Sequence, residues 1–452
     1  MSIAVSPLLT DLYQLNMVEA YLADGQTRPA VFEFAIRRLP DRRGFLLAAG
    51  LEQALQFLET FRYPPDELRW LGSTGRFSKR LLDYLAALRF TGDVHAIPEG
   101  TVFFADEPIL RITAPLPEAQ LLETRLINLL HFETLIASKA ARMMLAAPGK
   151  QLVDFGLRRA HAGEAGLLAA RASYIAGFAG TATVEAERQF AIPIFGTMAH
   201  SLIEAYDDEA TAFERFARAR PENLTFLLDT YDSEAAAGKV VALAPKLAAL
   251  GITIRAVRLD SGNLAVLSRS IRGILDDGGL KEVSIIASGG LDEDILMSLT
   301  AGKAPIDGYG IGTSLTTSAD VPALDCAYKL QEYAGLPRRK QSLGKATWPG
   351  RKQVWRRLDQ NMLMIEDIVA TEGEKQDGAP LVVKVMTAGK RVGDKPSLDD
   401  IRARAAREIE RLPESLRRLQ PGAHYPVAIA DSLQKLAAEA DRRIAGVGKA
   451  TR

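Results

Sequence analysis

Short apolar runs at 224–229, 253–260, 283–288 and 306–312 are separated by longer stretches in which apolar residues recur at helical spacing. Runs of this length, bounded by glycine and polar residues, predict buried strands, and the stretches between them predict helices. The clearest helix covers 234–250: Ser233 is placed to cap it, Glu234 lies in its first turn, and Gly251 stands where a helix commonly stops. A strand–helix repeat of about 30 residues demands parallel strands with crossover helices, in an open doubly wound sheet or a closed barrel. Each predicted strand ends in a polar or glycine-rich group, namely Asp229, Asp260, Ser288-Gly289-Gly290 and Gly310-Ile311-Gly312-Thr313-Ser314. A barrel enzyme collects its active site at that end of its strands, so the pattern favours an α/β fold built on an irregular barrel.

The flanking regions have a different rhythm. A strand at 31–36, helices at 51–61 and 78–88, and short strands at 93–97 and 109–112, broken by Pro98, Gly100 and Pro108, predict an N-terminal α+β domain over 1–135. A long helix over 123–145, beginning at Gln120 and carrying Lys139 and Arg142, connects it to the barrel, which is expected over 136–340. Residues 340–370 are expected to rejoin the N-terminal domain in space. The charged, glycine-containing stretch 371–378 reads as a surface loop or linker, and 371–452 as a mostly helical C-terminal extension, in which Ser397 and Asp400 stand at capping-box spacing ahead of 402–412.

Composition narrows the class. At 452 residues the chain has room for two or three domains, and its 47% hydrophobic and 25% charged content is that of a globular protein. No uncharged apolar run approaches the ~20 residues a membrane helix needs, and the first 13 residues resemble neither a secretory signal nor a transit peptide, so a cytoplasmic protein without membrane contact is expected. Cys326 is alone, and the five histidines are scattered without metal-ligand spacing. Basic and acidic residues balance at 56 each, which gives no basis for nucleic-acid binding. Anionic ligands must therefore be met by local clusters.

Several motifs supply such clusters. Glycines in Ser288-Gly289-Gly290 and Gly310-Ile311-Gly312-Thr313 let backbone N–H groups approach an anion, or serve simply as tight strand-to-helix turns; their place after the last two strands favours a phosphate site. Asp229 and Asp260 end strands that point to one rim, where carboxylates persist only with a cation or a set of donors. Arg258 shares a strand face with Asp260 and is free to meet an anion or to form an internal salt bridge. In Asp154-Phe155-Gly156-Leu157-Arg158 an aromatic followed by an arginine suits a flat anionic ring, with Phe155 stacking and Arg158 forking onto a carboxylate; the alternative leaves Phe155 in the core and Arg158 on the surface. Gly196-Thr197-Met198-Ala199-His200-Ser201 presents a histidine between small residues after an apolar stretch.

Taken in order with Thr10-Asp11-Leu12-Tyr13-Gln14-Leu15, Leu228-Asp229-Thr230-Tyr231-Asp232 and Pro349-Gly350-Arg351-Lys352-Gln353-Val354, these motifs resemble the nicotinate phosphoribosyltransferase family from the start of the chain to about residue 370. The resemblance implies an irregular (β/α) barrel of the type II phosphoribosyltransferase kind, flanked by an N-terminal α+β domain and a C-terminal helical extension. It implies the joining of nicotinate to phosphoribosyl pyrophosphate, giving nicotinate mononucleotide and pyrophosphate in the first step of NAD salvage. ATP hydrolysis would be coupled through a phosphohistidine at His200, in a ligase-type reaction. Magnesium is the implied metal, with ATP and phosphoribosyl pyrophosphate as co-substrates. Asp260 would hold the ribose hydroxyls and Asp229 the magnesium or His200, while Ser288, Gly289, Gly290, Gly310, Gly312 and Thr313 would cradle phosphate. Phe155, Arg158, Thr181, Ser201 and Arg258 would contact substrate. Tyr13 of a second subunit would close the ring site, so a homodimer with shared sites is implied. Nicotinamide-using relatives carry an aspartate where this chain has Ala182, and its absence favours the acid over the amide. The remaining alternatives are a nicotinamide-using enzyme and a non-catalytic ligand-binding homologue.

Overall fold

A computed structural model describes residues 6–342, 346–419 and 422–450. The chain forms two compact units, one from residues 139–322 and one from 1–138 together with 323–452; the boundary falls inside the long helix Glu123–Ala146.

The unit 139–322 is built on a six-stranded parallel sheet. In spatial order its strands are Gly180–Thr181, Gln151–Asp154, Gly308–Ile311, Ser284–Ser288, Ile254–Leu259 and Leu224–Leu227. The last strand of the unit in chain order, Gly308–Ile311, therefore pairs with the first, Gln151–Asp154, as it does when a barrel closes. Closure stops between Gly180–Thr181 and Leu224–Leu227, where residues 182–223 run instead through a single bridge at Ile194 and three helices. This is the irregular barrel that the repeat predicts. Crossover helices Ser233–Ala249, Leu264–Asp277 and Glu293–Ala301 each follow a strand, and each is capped by the side chain just before it, Asp232, Asn263 and Asp292. Asp232 takes the cap expected of Ser233: its carboxylate accepts the Ala235 N–H at 2.7 Å, and Ser233 becomes the first helical residue.

The other unit carries a seven-stranded sheet, in which Pro29–Ile36 lies antiparallel to both Cys326–Tyr333 and Pro108–Pro115, and a four-stranded sheet centred on Lys352–Leu358 and Met364–Thr371. Residues 371–452 hold the helix Leu398–Glu410 with the Ser397/Asp400 capping box, and the helix Asp431–Ala450. They also hold strands that the reading of a mostly helical extension did not include: Val383–Thr387 extends the seven-stranded sheet, and Ala379–Pro380 and Val427–Ile429 flank the smaller one. No helix among the described residues is long and apolar enough to cross a membrane.

Candidate active site

The carboxyl ends of the parallel strands gather most of the residues singled out in the sequence. Strand Ile254–Leu259 delivers Arg258 and, one residue beyond its end, Asp260. The Arg258 guanidinium donates to Asp260 Oδ1 at 2.7 Å, to the Ser288 hydroxyl at 2.8 Å, to Thr197 Oγ1 at 3.2 Å and to the Met198 carbonyl at 3.4 Å. The Ser288 hydroxyl in turn donates to Asp260 Oδ1. Burial by itself raises the Asp260 carboxyl, but the Ser288 hydroxyl and the Arg258 charge outweigh it and hold the group below its ordinary value. Asp260 is thus a fixed anion at neutral pH. Arg258 is committed to it in the internal salt bridge that was one of two readings of this pair, and its guanidinium carbon also lies 5.5 Å from the centre of the Phe155 ring.

His200 opens the short helix His200–Glu204. Its Nδ1 lies 3.1 Å from Thr230 Oγ1, and its Nε2 faces Asp260 Oδ2 at 3.9 Å, an electrostatic approach longer than a hydrogen bond. The ring is 40% exposed, so it is accessible to a ligand. The hydrogen-bond partner on His200 is Thr230 and not Asp229, which was the residue expected to hold either His200 or magnesium. Thr230 stands in the motif at 228–232, but the sequence gives it no role of its own, because its only signal is adjacency to Asp229. Asp229 Oδ2 accepts the Ser261 hydroxyl at 2.5 Å, whereas Oδ1 is buried without a hydrogen-bond partner.

The glycine groups serve packing needs as well as any ligand. Gly289 and Gly290 both adopt left-handed backbone, with φ of +90° and +66°, and a Cβ on Gly289 would fall 1.9 Å from the Asp260 carbonyl oxygen. A Cβ on Gly310 would lie 2.5 Å from the Phe155 ring, so this glycine makes the seat for that aromatic. Gly312 precedes the single-turn helix Thr313–Thr316, and Thr313 is exposed.

Strand Gln151–Asp154 positions the ring-binding candidates. Asp154 is buried at its end; Oδ1 accepts the Gly156 N–H at 2.8 Å and Oδ2 accepts the Thr181 hydroxyl at 2.7 Å. Burial pushes its carboxyl up to about 6, and these two hydrogen bonds offset only part of that. Phe155 is half-buried, and Arg158, in the 3-10 turn Leu157–Arg159, is exposed. Ala182 and Ser201 are exposed as well. Thr181 is fully buried, and its hydroxyl faces Asp154. Tyr13 belongs to the other unit, where it lies exposed on helix Leu12–Ala23.

Comparisons with known proteins point to one family. Family models described as the nicotinate phosphoribosyltransferase N-terminal domain, the nicotinate phosphoribosyltransferase family and the nicotinate phosphoribosyltransferase C-terminal domain match residues 8–131, 150–334 and 375–437. A nicotinate phosphoribosyltransferase of Mycobacterium tuberculosis is 48% identical over 95% of this chain and 92% of its own length. One from Bacillus subtilis is 41% identical over 78% of this chain and 74% of its own. The crystal structure of human nicotinic acid phosphoribosyltransferase superimposes with a TM-score of 0.85 at 29% identity, covering 95% of this chain and 99% of the human one. The chain belongs to the nicotinate phosphoribosyltransferase family.

Proposed function

We propose that this chain joins nicotinate to phosphoribosyl pyrophosphate at the rim of its parallel sheet and couples the reaction to ATP hydrolysis through phosphorylation of His200. The reaction is the entry of nicotinate into NAD salvage. The ring nitrogen of nicotinate forms a bond to the anomeric carbon of the ribose as the bond to pyrophosphate breaks, and positive charge accumulates on the sugar in between. Asp260, held ionised by Ser288 and Arg258, is the anion suited to the ribose hydroxyls and to that charge. The left-handed Gly289-Gly290 pair and the Gly312-Thr313 turn present backbone N–H groups for phosphate oxygens. Arg158 is an exposed cation suited to the nicotinate carboxylate, with Phe155 beside it, Ala182 leaving that carboxylate unopposed, and Ser201 near the phosphoryl acceptor in sequence. Tyr13 of a second subunit completes the ring site in this reading, which makes the working enzyme a homodimer.

Asp229 fits a cation, because its buried Oδ1 has no protein donor, and no group of three or more potential ligands exists among the described residues. Magnesium would therefore be shared between Asp229 and substrate oxygens, the usual arrangement for this ion. When bound it supplies positive charge against pyrophosphate. Thr230 orients the imidazole, so that His200 meets the γ-phosphate of ATP with one nitrogen already engaged.

The accessible His200, fixed by Thr230 and facing Asp260, carries this reading. With γ-labelled ATP and magnesium, the wild-type protein is expected to take up acid-labile, base-stable label, and His200→Ala none. That variant should retain slow, ATP-independent synthesis of nicotinate mononucleotide. If His200→Ala still hydrolyses ATP in step with product formation, the phosphohistidine reading fails.

A further inference from the structure

Asp154 stands where three strands meet. Its backbone pairs with Ile311 on one side and Thr181 on the other, and its carbonyl accepts the Ala182 N–H at 2.7 Å. Its side chain repeats the connection: one oxygen holds the Gly156 N–H, fixing the turn between Phe155 and Arg158, and the other holds the Thr181 hydroxyl. Thr181 Oγ1 then accepts the Thr183 N–H at 3.0 Å, which fixes the backbone on the far side of Ala182. The space around Gly156 is closed, since a Cβ there would meet Thr316 at 2.7 Å and Asp154 Oδ1 at 2.9 Å. Phe155 and Arg158 on one segment and Ala182 on the other thus share one buried chain of hydrogen bonds, and no part of it is exposed to a ligand.

We propose that the Asp154–Thr181 pair is a positioning device for nicotinate: it holds the Phe155–Arg158 turn and the Ala182 segment at a fixed separation and sets the affinity for the ring without touching it. The inference rests on the reading that these segments bind nicotinate, and it moves Thr181 from substrate contact to support. Among the described residues no hydrogen bond joins Asp154 or Thr181 to Asp260, Arg258 or Ser288, and the turn meets that cluster through the Phe155 ring beside Arg258, so loss of the pair should weaken nicotinate far more than the sugar substrate. A carboxylate left with one of its two donors loosens the turn but leaves the sheet hydrogen bonds in place.

Steady-state kinetics on four variants test this. Thr181→Val, which keeps shape and removes the hydroxyl, is expected to raise the nicotinate KM about threefold to tenfold, with kcat and the phosphoribosyl pyrophosphate KM changed less than about twofold. Thr181→Ser should recover most of the loss, because it restores the donor. Asp154→Asn, of equal size, should shift the same KM in the same direction, and the double variant Asp154→Asn/Thr181→Val should fall short of the product of the two single effects, as expected of groups in contact. Arg158→Ala is the control for the underlying reading. If Arg158→Ala leaves the nicotinate KM unmoved, the ring lies elsewhere and both readings fall. If Arg158→Ala raises it but Thr181→Val does not, or moves both substrate KM values equally, the positioning role alone is overturned.

Discussion

The molecule contains two arginine–aspartate centres whose difference separates support from chemistry. In the unit 139–322, Arg258 and Asp260 remain 11% and 23% exposed, and His200 stands 3.9 Å from the aspartate. In the other unit, Arg356 and Asp367 are 4% and 0% exposed, and every direction is filled: Arg356 reaches Asp367 Oδ2 at 2.6 Å and Glu408 Oε2 at 2.8 Å, the Tyr425 hydroxyl donates to Asp367 at 2.9 Å, and Phe104 and Tyr425 stack at 3.9 Å. Glu107 is buried there too, and burial together with the neighbouring Asp367 carboxylate pushes it well above the ordinary carboxylate range. The closed centre ties loop, strands and helix into one core. The open one keeps a fixed anion at the surface with a histidine beside it. The same pair of residue types is structural where water is excluded and available for chemistry where it is not.

The largest expected effect breaks the closed centre. Arg356→Ala would leave Asp367 buried without its cation and Glu408 with Arg411 alone at 3.4 Å, and breaking such a buried pair costs about 3 to 5 kcal/mol. Denaturant unfolding should show that loss, while activity per folded molecule stays near wild type. Next is the mirror experiment, Asp260→Asn. Its depressed carboxyl contributes stability that is present above the ordinary carboxylate value and disappears as pH falls through the folded value, and for a partly exposed group this amounts to about 1 kcal/mol or less. Turnover should drop roughly 100- to 1,000-fold, as when a group stabilising transition-state charge is removed. A large stability loss with little effect on turnover would erase the distinction between the two centres.

Arg158→Ala sharpens the picture within the open unit. Losing a charge-assisted contact costs about 1.5 to 3 kcal/mol, so nicotinate use should fall roughly 10- to 150-fold while phosphoribosyl pyrophosphate binding is spared. Equal losses for both substrates would mean that the exposed guanidinium supports the fold and does not hold the ring.

How far these centres were legible in the sequence follows from geometry. Strands and rim residues were readable because a parallel strand buried on both faces is a plain apolar run whose end is marked by the first polar group. That rule found Asp229, Asp260 and the glycine pairs, and it found the irregular barrel. It did not find Thr230 on His200, or Gly310 as the seat of Phe155, because such contacts depend on side-chain direction between segments distant in sequence. Strands such as Val383–Thr387 were missed for another reason. They are short and largely exposed, so they carry too little apolar pattern to stand out from a helical extension.

The smallest expected effect lies in the pH dependence of nicotinate binding. Asp154 titrates at about 6 because burial penalises its charge. With the folded value raised above the unfolded one, near 4 for a free aspartate, the contribution of this group to stability is complete below about 4 and is lost as pH rises through 6; at neutral pH the protein carries a buried carboxylate at some cost. What that carboxylate provides is polarity. Oδ1 faces the Gly156 N–H and cannot carry a proton toward it, so protonation must occur on Oδ2, facing Thr181 Oγ1. The Thr181 hydroxyl must then accept where it had donated, while still accepting the Thr183 N–H, and a charge-assisted bond becomes a neutral one. The difference, about 0.5 to 1 kcal/mol, corresponds to a twofold to fivefold rise in nicotinate KM as pH falls from 7.5 to 5.5. Asp154→Asn places a permanent donor on the Thr181 side, so its nicotinate KM should stay at the low-pH level throughout. If the Asn variant keeps the wild-type profile, the titrating group belongs to a different residue and the polarity of the Asp154–Thr181 bond has no part in holding the ring.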